Sequence, residues 1–124
     1  MLIIDLMSSQ TGILITLFFG HWVGDYLFQT TLMATTKSKS FKWLNIHVLV
    51  YTTTLLVVSF FIFPFDIWWR FALLNGILHW VTDFFTSKLA NRYVGNLRVF
   101  YPILGFDQFI HISTLLLTMR FFSQ

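Results

Sequence analysis

Long apolar runs, broken at wide intervals by short polar segments, dominate the chain. A helix needs about 20 mostly apolar residues to cross the ~30 Å hydrocarbon core of a bilayer. Four segments meet that length: Thr11–Met33, Trp43–Phe63, Ile67–Leu89 and Pro102 to about Met119. Ser9 and Ser40 stand where N-caps of the first and second are expected. Pro64 closes the second span and Pro102 suits the opening turn of the fourth. No segment shows the strict alternation of a membrane β-strand. The pattern predicts an all-α membrane protein, a single domain over residues 1–124 with spans at about 11–33, 43–63, 67–89 and 102–119.

The connections separate by charge. Lys37, Lys39 and Lys42 lie in the first loop and Lys88, Arg92 and Arg98 at the third, while the other side holds only Arg70 and Arg120. The positive-inside rule then makes loops 34–42 and 90–101 cytoplasmic and both termini extracytoplasmic. Trp43, Trp68, Trp69, Tyr93 and Tyr101 fall near span ends, where an aromatic belt is expected. The net charge of +3 is scattered over these loops, so topogenesis explains it better than nucleic-acid binding. Met1–Gln10 lacks a basic n-region, and the following run is interrupted by His21 and Asp25, which argues against a cleaved signal peptide.

Composition sharpens this reading. Apolar residues make up 56% of the 124 positions and charged residues 10%, against about 25% charged in an average soluble domain. Cysteine is absent, which excludes disulfides and thiolate metal sites. Glutamate is absent too, so the carboxylates are Asp5, Asp25, Asp66, Asp83 and Asp107.

Against this background the ionisable residues stand out. All four histidines and three of the five aspartates fall inside the expected spans. Such groups are costly in hydrocarbon and usually paired and functional. At a rise of ~1.5 Å per residue, His21, Asp25, His47, His79, Asp83, Asp107 and His111 lie about 6 to 18 Å in from the cytoplasmic span ends, in one layer. His21-Trp22-Val23-Gly24-Asp25-Tyr26 also recurs as His79-Trp80-Val81-Thr82-Asp83-Phe84, 58 residues later. Each copy is followed by a basic loop and a helix with an early histidine, His47 or His111. This predicts an antiparallel four-helix bundle made of two parallel hairpin repeats, 11–63 and 67–119, related by a pseudo-two-fold axis along the membrane normal.

Helical spacing decides where these side chains meet. Residues i and i+4 share a face, so His21 pairs with Asp25, with Gln29 one turn further, and His79 pairs with Asp83. Asp107 and His111 form an inverted pair on the fourth helix. Imidazole and carboxylate without thiolate suit zinc, iron, manganese or nickel. Two half-sites are conceivable, His21/Asp25/His47 and His79/Asp83/His111, with Asp107 bridging or acting in acid–base chemistry. Paired metals ~3.5–4 Å apart suit phosphoester hydrolysis. Gln29 and Gln108 are placed to hydrogen-bond ligating aspartates. Lys37 and Lys39 read as topogenic charge, with contact to a lipid phosphate as the alternative. Gly24, between histidine and aspartate, reads as a packing residue. The carboxylate one turn from most histidines argues against bis-histidine haem.

The order His21-x3-Asp25-x3-Gln29, a basic loop, His47, His79-x3-Asp83 and Asp107-Gln108-Phe109-Ile110-His111 resembles the small bacterial and phage membrane proteins grouped as domain-of-unknown-function family 3307. The resemblance implies a four-helix protein with a polar core in the bacterial inner membrane, and implies no reaction. A weaker likeness, of residue type alone, is to inner-membrane proteins grouped as metal-dependent hydrolases.

Three functions follow as expectations. The first is a hydrolase of a lipid or lipid-linked substrate, using one or two divalent ions, zinc, iron or manganese, with Asp107 shuttling the proton. The second is a module that transports metal ions or protons. The third is a structural or regulatory subunit whose buried polar network fixes one packing. Membrane lipid is the expected partner, with a homo-oligomer or a larger membrane complex as the expected assembly and no nucleic acid.

Overall fold

In the computed structural model of the protein, residues 9–124 are described. Asp5 and most of the Met1–Gln10 stretch lie outside them. The described residues form five α-helices: α1 Gln10–Trp22, α2 Thr31–Thr36, α3 Phe41–Ile62, α4 Trp68–Arg92 and α5 Leu97–Phe122.

The first expected span is not one helix. Ser9 caps α1 by accepting a 3.1 Å bond from the Gly12 N–H. After Trp22 the winding loosens into a π-helical turn, Val23–Leu27, closed by a 2.9 Å bond from the Phe28 N–H to the Val23 carbonyl five residues back. The chain then breaks, and Thr30, in extended conformation, caps α2 by accepting from the Met33 N–H at 3.2 Å. Threonine hydroxyls compete with the backbone ladder in this way. The extra residue of the π turn and the new cap stop the helix, so the expected continuity over 11–33 fails. Gln29 does not lie one turn below Asp25.

The other helices follow the expected order with shifted ends. Helix α3 begins at Phe41 after Ser40, whose side chain makes no capping bond, and stops at Phe63, held extended before Pro64. Helix α5 begins five residues before Pro102, which therefore sits in the second turn rather than the first. The Asn96 carbonyl opens that helix by accepting from Val99 and Phe100.

Antiparallel contacts fix the packing. Between α3 and α4, Phe63 meets Phe71 with ring centroids 4.7 Å apart, Thr52 fills the space beside Gly76, and Trp80 donates to Asn45 at 2.8 Å. Between α4 and α5, Asn75 donates to Thr118 at 2.8 Å, and Asp83 meets His111 further along. Helix α1 lies against α3 through Gly20, opposite Val58, and Gly24, opposite Tyr51 and Thr54. Leu17, Leu55, Phe71, Ala72 and Leu115 form an apolar core with Tyr51 at its edge.

Helices α3 and α5 are long and apolar enough to cross a membrane, with mean hydropathies of 1.8 and 1.2 over their most apolar stretches. Only 28% and 17% of those stretches are buried, so they are not the enclosed core helices of a soluble fold. Helix α1 has 13 residues, and α4, with 25, intersperses Asn75, His79, Asp83 and several threonines among its apolar positions.

Candidate metal centre

The polar side chains that the sequence puts on separate helices converge at one level. His21, Asp25, His47, His79, Asp83, Asp107 and His111 are all buried. Asp25 arrives from the π turn, whose close approach to α3 depends on Gly24. A Cβ there would lie 3.2 Å from Tyr51 Cδ2 and Thr54 Cβ. Helix α3 brings His47, α4 brings His79 and Asp83, and α5 brings Asp107, Gln108 and His111.

Asp25, His47, His79 and Asp83 form the tighter group. His47 Nε2 lies 3.1 Å from Asp25 Oδ1, 3.1 Å from Asp83 Oδ2 and 3.2 Å from His79 Nε2. His79 Nε2 lies 3.3 Å from Asp25 Oδ1 and 3.6 Å from Asp83 Oδ2. A tetrahedral zinc-like ion with bonds of about 2.0–2.2 Å has ligand–ligand edges of about 3.3–3.6 Å. Two of the five distances lie within that range and three fall 0.1–0.2 Å short of it.

Hydrogen bonding alone does not account for the crowding. A neutral imidazole nitrogen offers one hydrogen or one lone pair, yet His47 Nε2 faces three ligand-type atoms and also Lys37 Nζ at 3.4 Å. Three buried carboxylates, Asp25, Asp83 and Asp107, share the site with the ammonium of Lys37 and four imidazoles. Buried charge needs a counter-charge. The donor set therefore fits a divalent cation. The Nδ1 atoms of His47 and His79 are buried without a hydrogen-bond partner, so ring orientation is fixed in another way. The His79 ring is stacked between Tyr51 and His111, each with centroids 3.9 Å away.

Asp25, Asp107 and His111 form a second group of possible ligands. His111 Nε2 lies 3.2 Å from Asp83 Oδ1 and 3.3 Å from Asp107 Oδ1. The two groups share Asp25, so the expected partition into His21/Asp25/His47 and His79/Asp83/His111 does not hold. Asp25 and Asp83 each present their two oxygens to different helices, which mixes the hairpins. His21 stands outside both groups. Its Nδ1 lies 3.3 Å from the Tyr51 hydroxyl and its Nε2 2.9 Å from Gln108 Oε1. Gln108 holds the assembly together, its amide nitrogen donating to Asp25 Oδ2 at 2.9 Å and to Asp107 Oδ2 at 3.1 Å. No contact of the Gln29 side chain with the cluster occurs among the described residues, and its buried Oε1 lacks a hydrogen-bond partner.

A family model described as a protein of unknown function (DUF3307) matches residues 13–124. The chain belongs to the DUF3307 family. Nothing among the curated proteins or the solved structures matches it.

Lys37, Tyr51 and Thr86 also belong to this site, in addition to the residues expected from the sequence. Lys37 Nζ donates to Asp83 Oδ2 at 2.7 Å, so this loop lysine enters the cluster. The 37–40 turn is closed by local bonds from Lys39 and Ser40 to the Thr36 carbonyl, and nothing in its residues announces the contact with Asp83. Tyr51 and Thr86 were legible. Tyr51 is four residues from His47 on α3, and Thr86, three from Asp83 on α4, donates to Asp107 Oδ1. A cavity of about 40 Å³ lined by Lys37, Asp83, Thr86, Ser87 and Asp107 adjoins the carboxylates, and the buried Ser87 hydroxyl beside it has no partner.

Proposed function

We propose that this chain is an integral protein of the bacterial inner membrane. In this reading α1, with its π turn, and α3, α4 and α5 form a four-span antiparallel bundle of two parallel hairpin repeats. Its His/Asp centre, in the cytoplasmic half, binds one or two divalent ions, zinc, iron or manganese, and hydrolyses a lipid or lipid-linked substrate. The observation that carries this reading is an inverted distribution of polarity. Seven imidazoles and carboxylates are buried together while Phe61, Leu49, Phe85, Phe109, Leu117 and Phe121 face outward. Lipid tolerates that surface, and water does not.

A bound divalent ion supplies a water of lowered pKa and polarises a phosphoryl or carbonyl oxygen. The chain's own groups divide the remaining work. Three of Asp25, His47, His79 and Asp83 would hold the ion and leave it an open position for water. Asp107 borders the small polar cavity, which has room for about one water, and is assigned the proton transfer. Gln108 and Thr86 hold the Asp107 oxygens in place. Lys37 faces the same cavity with a positive charge for the oxyanion.

Conduction is less well supported, because Leu17, Leu55, Phe71 and Leu115 fill the bundle interior on the far side of the centre. Elemental analysis of protein purified from metal-replete cells tests the reading. About one or two equivalents of a divalent ion are expected, lost in His47→Ala together with hydrolysis of a lipid phosphoester. A metal-free sample that unfolds more easily in every alanine variant would favour a purely structural polar core.

A further inference from the structure

Beside the His/Asp cluster, where the 37–40 turn packs on the end of α4, lies a pocket of about 60 Å³ lined by Lys37, Ser38, Lys39, Ser40 and Lys88 together with Phe41 and Phe84. Its charge is unbalanced. Lys37 pairs with Asp83, and Lys88 Nζ sits 3.3 Å above the Phe84 ring. No carboxylate pairs with Lys39 or Lys88 among the described residues. The Ser40 hydroxyl makes no capping bond to α3.

We propose that this pocket is the phosphate-binding subsite of the centre, so that the substrate carries a phosphate group. The inference rests on the hydrolase reading for its role and on the pocket alone for its binding. Three lysines, two of them without a carboxylate partner among the described residues, and two serines line one small concavity, a lining that matches a tetrahedral oxyanion in charge and donor chemistry. Lys37 joins the two sites, since its Nζ lies 2.7 Å from Asp83 Oδ2, an atom of the tighter ligand group. A phosphate held by Lys39 and Lys88 would therefore share its pocket with Lys37, which contacts a candidate metal ligand. The exposed Phe41, stacked with Phe84 at a centroid distance of 5.8 Å, gives the mouth an apolar rim suited to the acyl–headgroup boundary. The phosphate could come from a lipid headgroup or from a free phosphate ester, and the shared chemistry is the oxyanion.

The test uses the full chain in nanodiscs of phosphatidylcholine with or without phosphatidic acid. Lipid retention is read by native mass spectrometry, and metal content is measured on the same samples. Wild type is expected to retain phosphatidic acid over phosphatidylcholine. The double variant Lys39→Gln/Lys88→Gln should lose on the order of tenfold or more of that preference and keep its metal, while Arg120→Gln, at the other end of α5, should change neither. Displacement of the lipid by inorganic phosphate would assign recognition to the phosphate group alone. Retention that inorganic phosphate leaves intact would assign it to the lipid headgroup. Equal retention by wild type and the double variant, with metal present in both, overturns the subsite and spares the metal reading. Lysine-dependent retention by protein that never holds metal supports the subsite and sinks the metal reading.

Discussion

Side chains that look equivalent in the sequence carry unequal loads in the cluster. His79 presents Nε2 to Asp25 and Asp83 within the tighter group, whereas His21 presents Nε2 first to the Gln108 amide oxygen at 2.9 Å and only then to Asp25 Oδ2 at 3.6 Å. His79→Ala should therefore lower metal affinity well beyond the ~10–100-fold typical of a supporting residue, and His21→Ala should stay within that range. Competition against a chelator of known affinity measures both. Equal losses beyond that range would restore the symmetric arrangement in which each histidine serves its own half-site. Gln108 provides an internal standard, because it touches Asp25, Asp107 and His21 without offering a ligand atom of its own to either group. Gln108→Leu removes three hydrogen bonds in a buried setting and should cost ~10–100-fold in affinity while leaving the bound stoichiometry unchanged.

At the scale of elements, the π turn of Val23–Leu27 decides where Asp25 points. Such turns are uncommon and are often found at functional sites. Gly24 is the contact that lets this turn approach α3, with the Tyr51 backbone Cα 3.3 Å from an added Cβ. Since a backbone atom yields less than a side-chain tip, Gly24→Ala should move the turn outward and separate Asp25 from His47. The expected cost is about 1–3 kcal/mol of stability from overpacking, with weaker metal binding. Thermal unfolding in detergent with and without metal measures it, and an unchanged midpoint with full metal content would show that the turn tolerates the methyl. The i, i+4 pairs on α4 and α5 were legible because regular α-helix carries the spacing faithfully. The π turn was not, because an i→i+5 bond changes the register without any residue type that announces it. The Thr30-Thr31 pair, a possible cap within an apolar run, was the local signal for the break, and it cost Gln29 its expected place.

The whole molecule is organised around one contrast, charged groups inside and aromatic and aliphatic groups outside, and that contrast was present in the sequence before any coordinates. Seven ionisable residues inside long apolar runs could be buried only against one another, which is why the site was legible as a set although its partition was not. Lys37 escaped because a loop lysine looks the same whether it faces water or folds back onto Asp83. The four-span arrangement has its own test, and the absence of cysteine makes it clean. Single cysteines at Ser38 and Asn96 should react with a membrane-impermeant maleimide from the cytoplasmic side, and those at Asp66 and Ser123 from the other side. The last pair carries the orientation as well, since Lys37, Lys39, Lys42, Lys88, Arg92 and Arg98 outnumber Arg70 and Arg120 by six to two. Were Ser38 and Asp66 to react from the same face, α3 would not cross the bilayer despite its mean hydropathy of 1.8. The buried cluster would then belong to a protein lying on the membrane rather than through it. With the expected alternation, the 37–40 turn and its lysines lie at the cytoplasmic surface, where a phosphate-bearing lipid can reach the centre without leaving the leaflet.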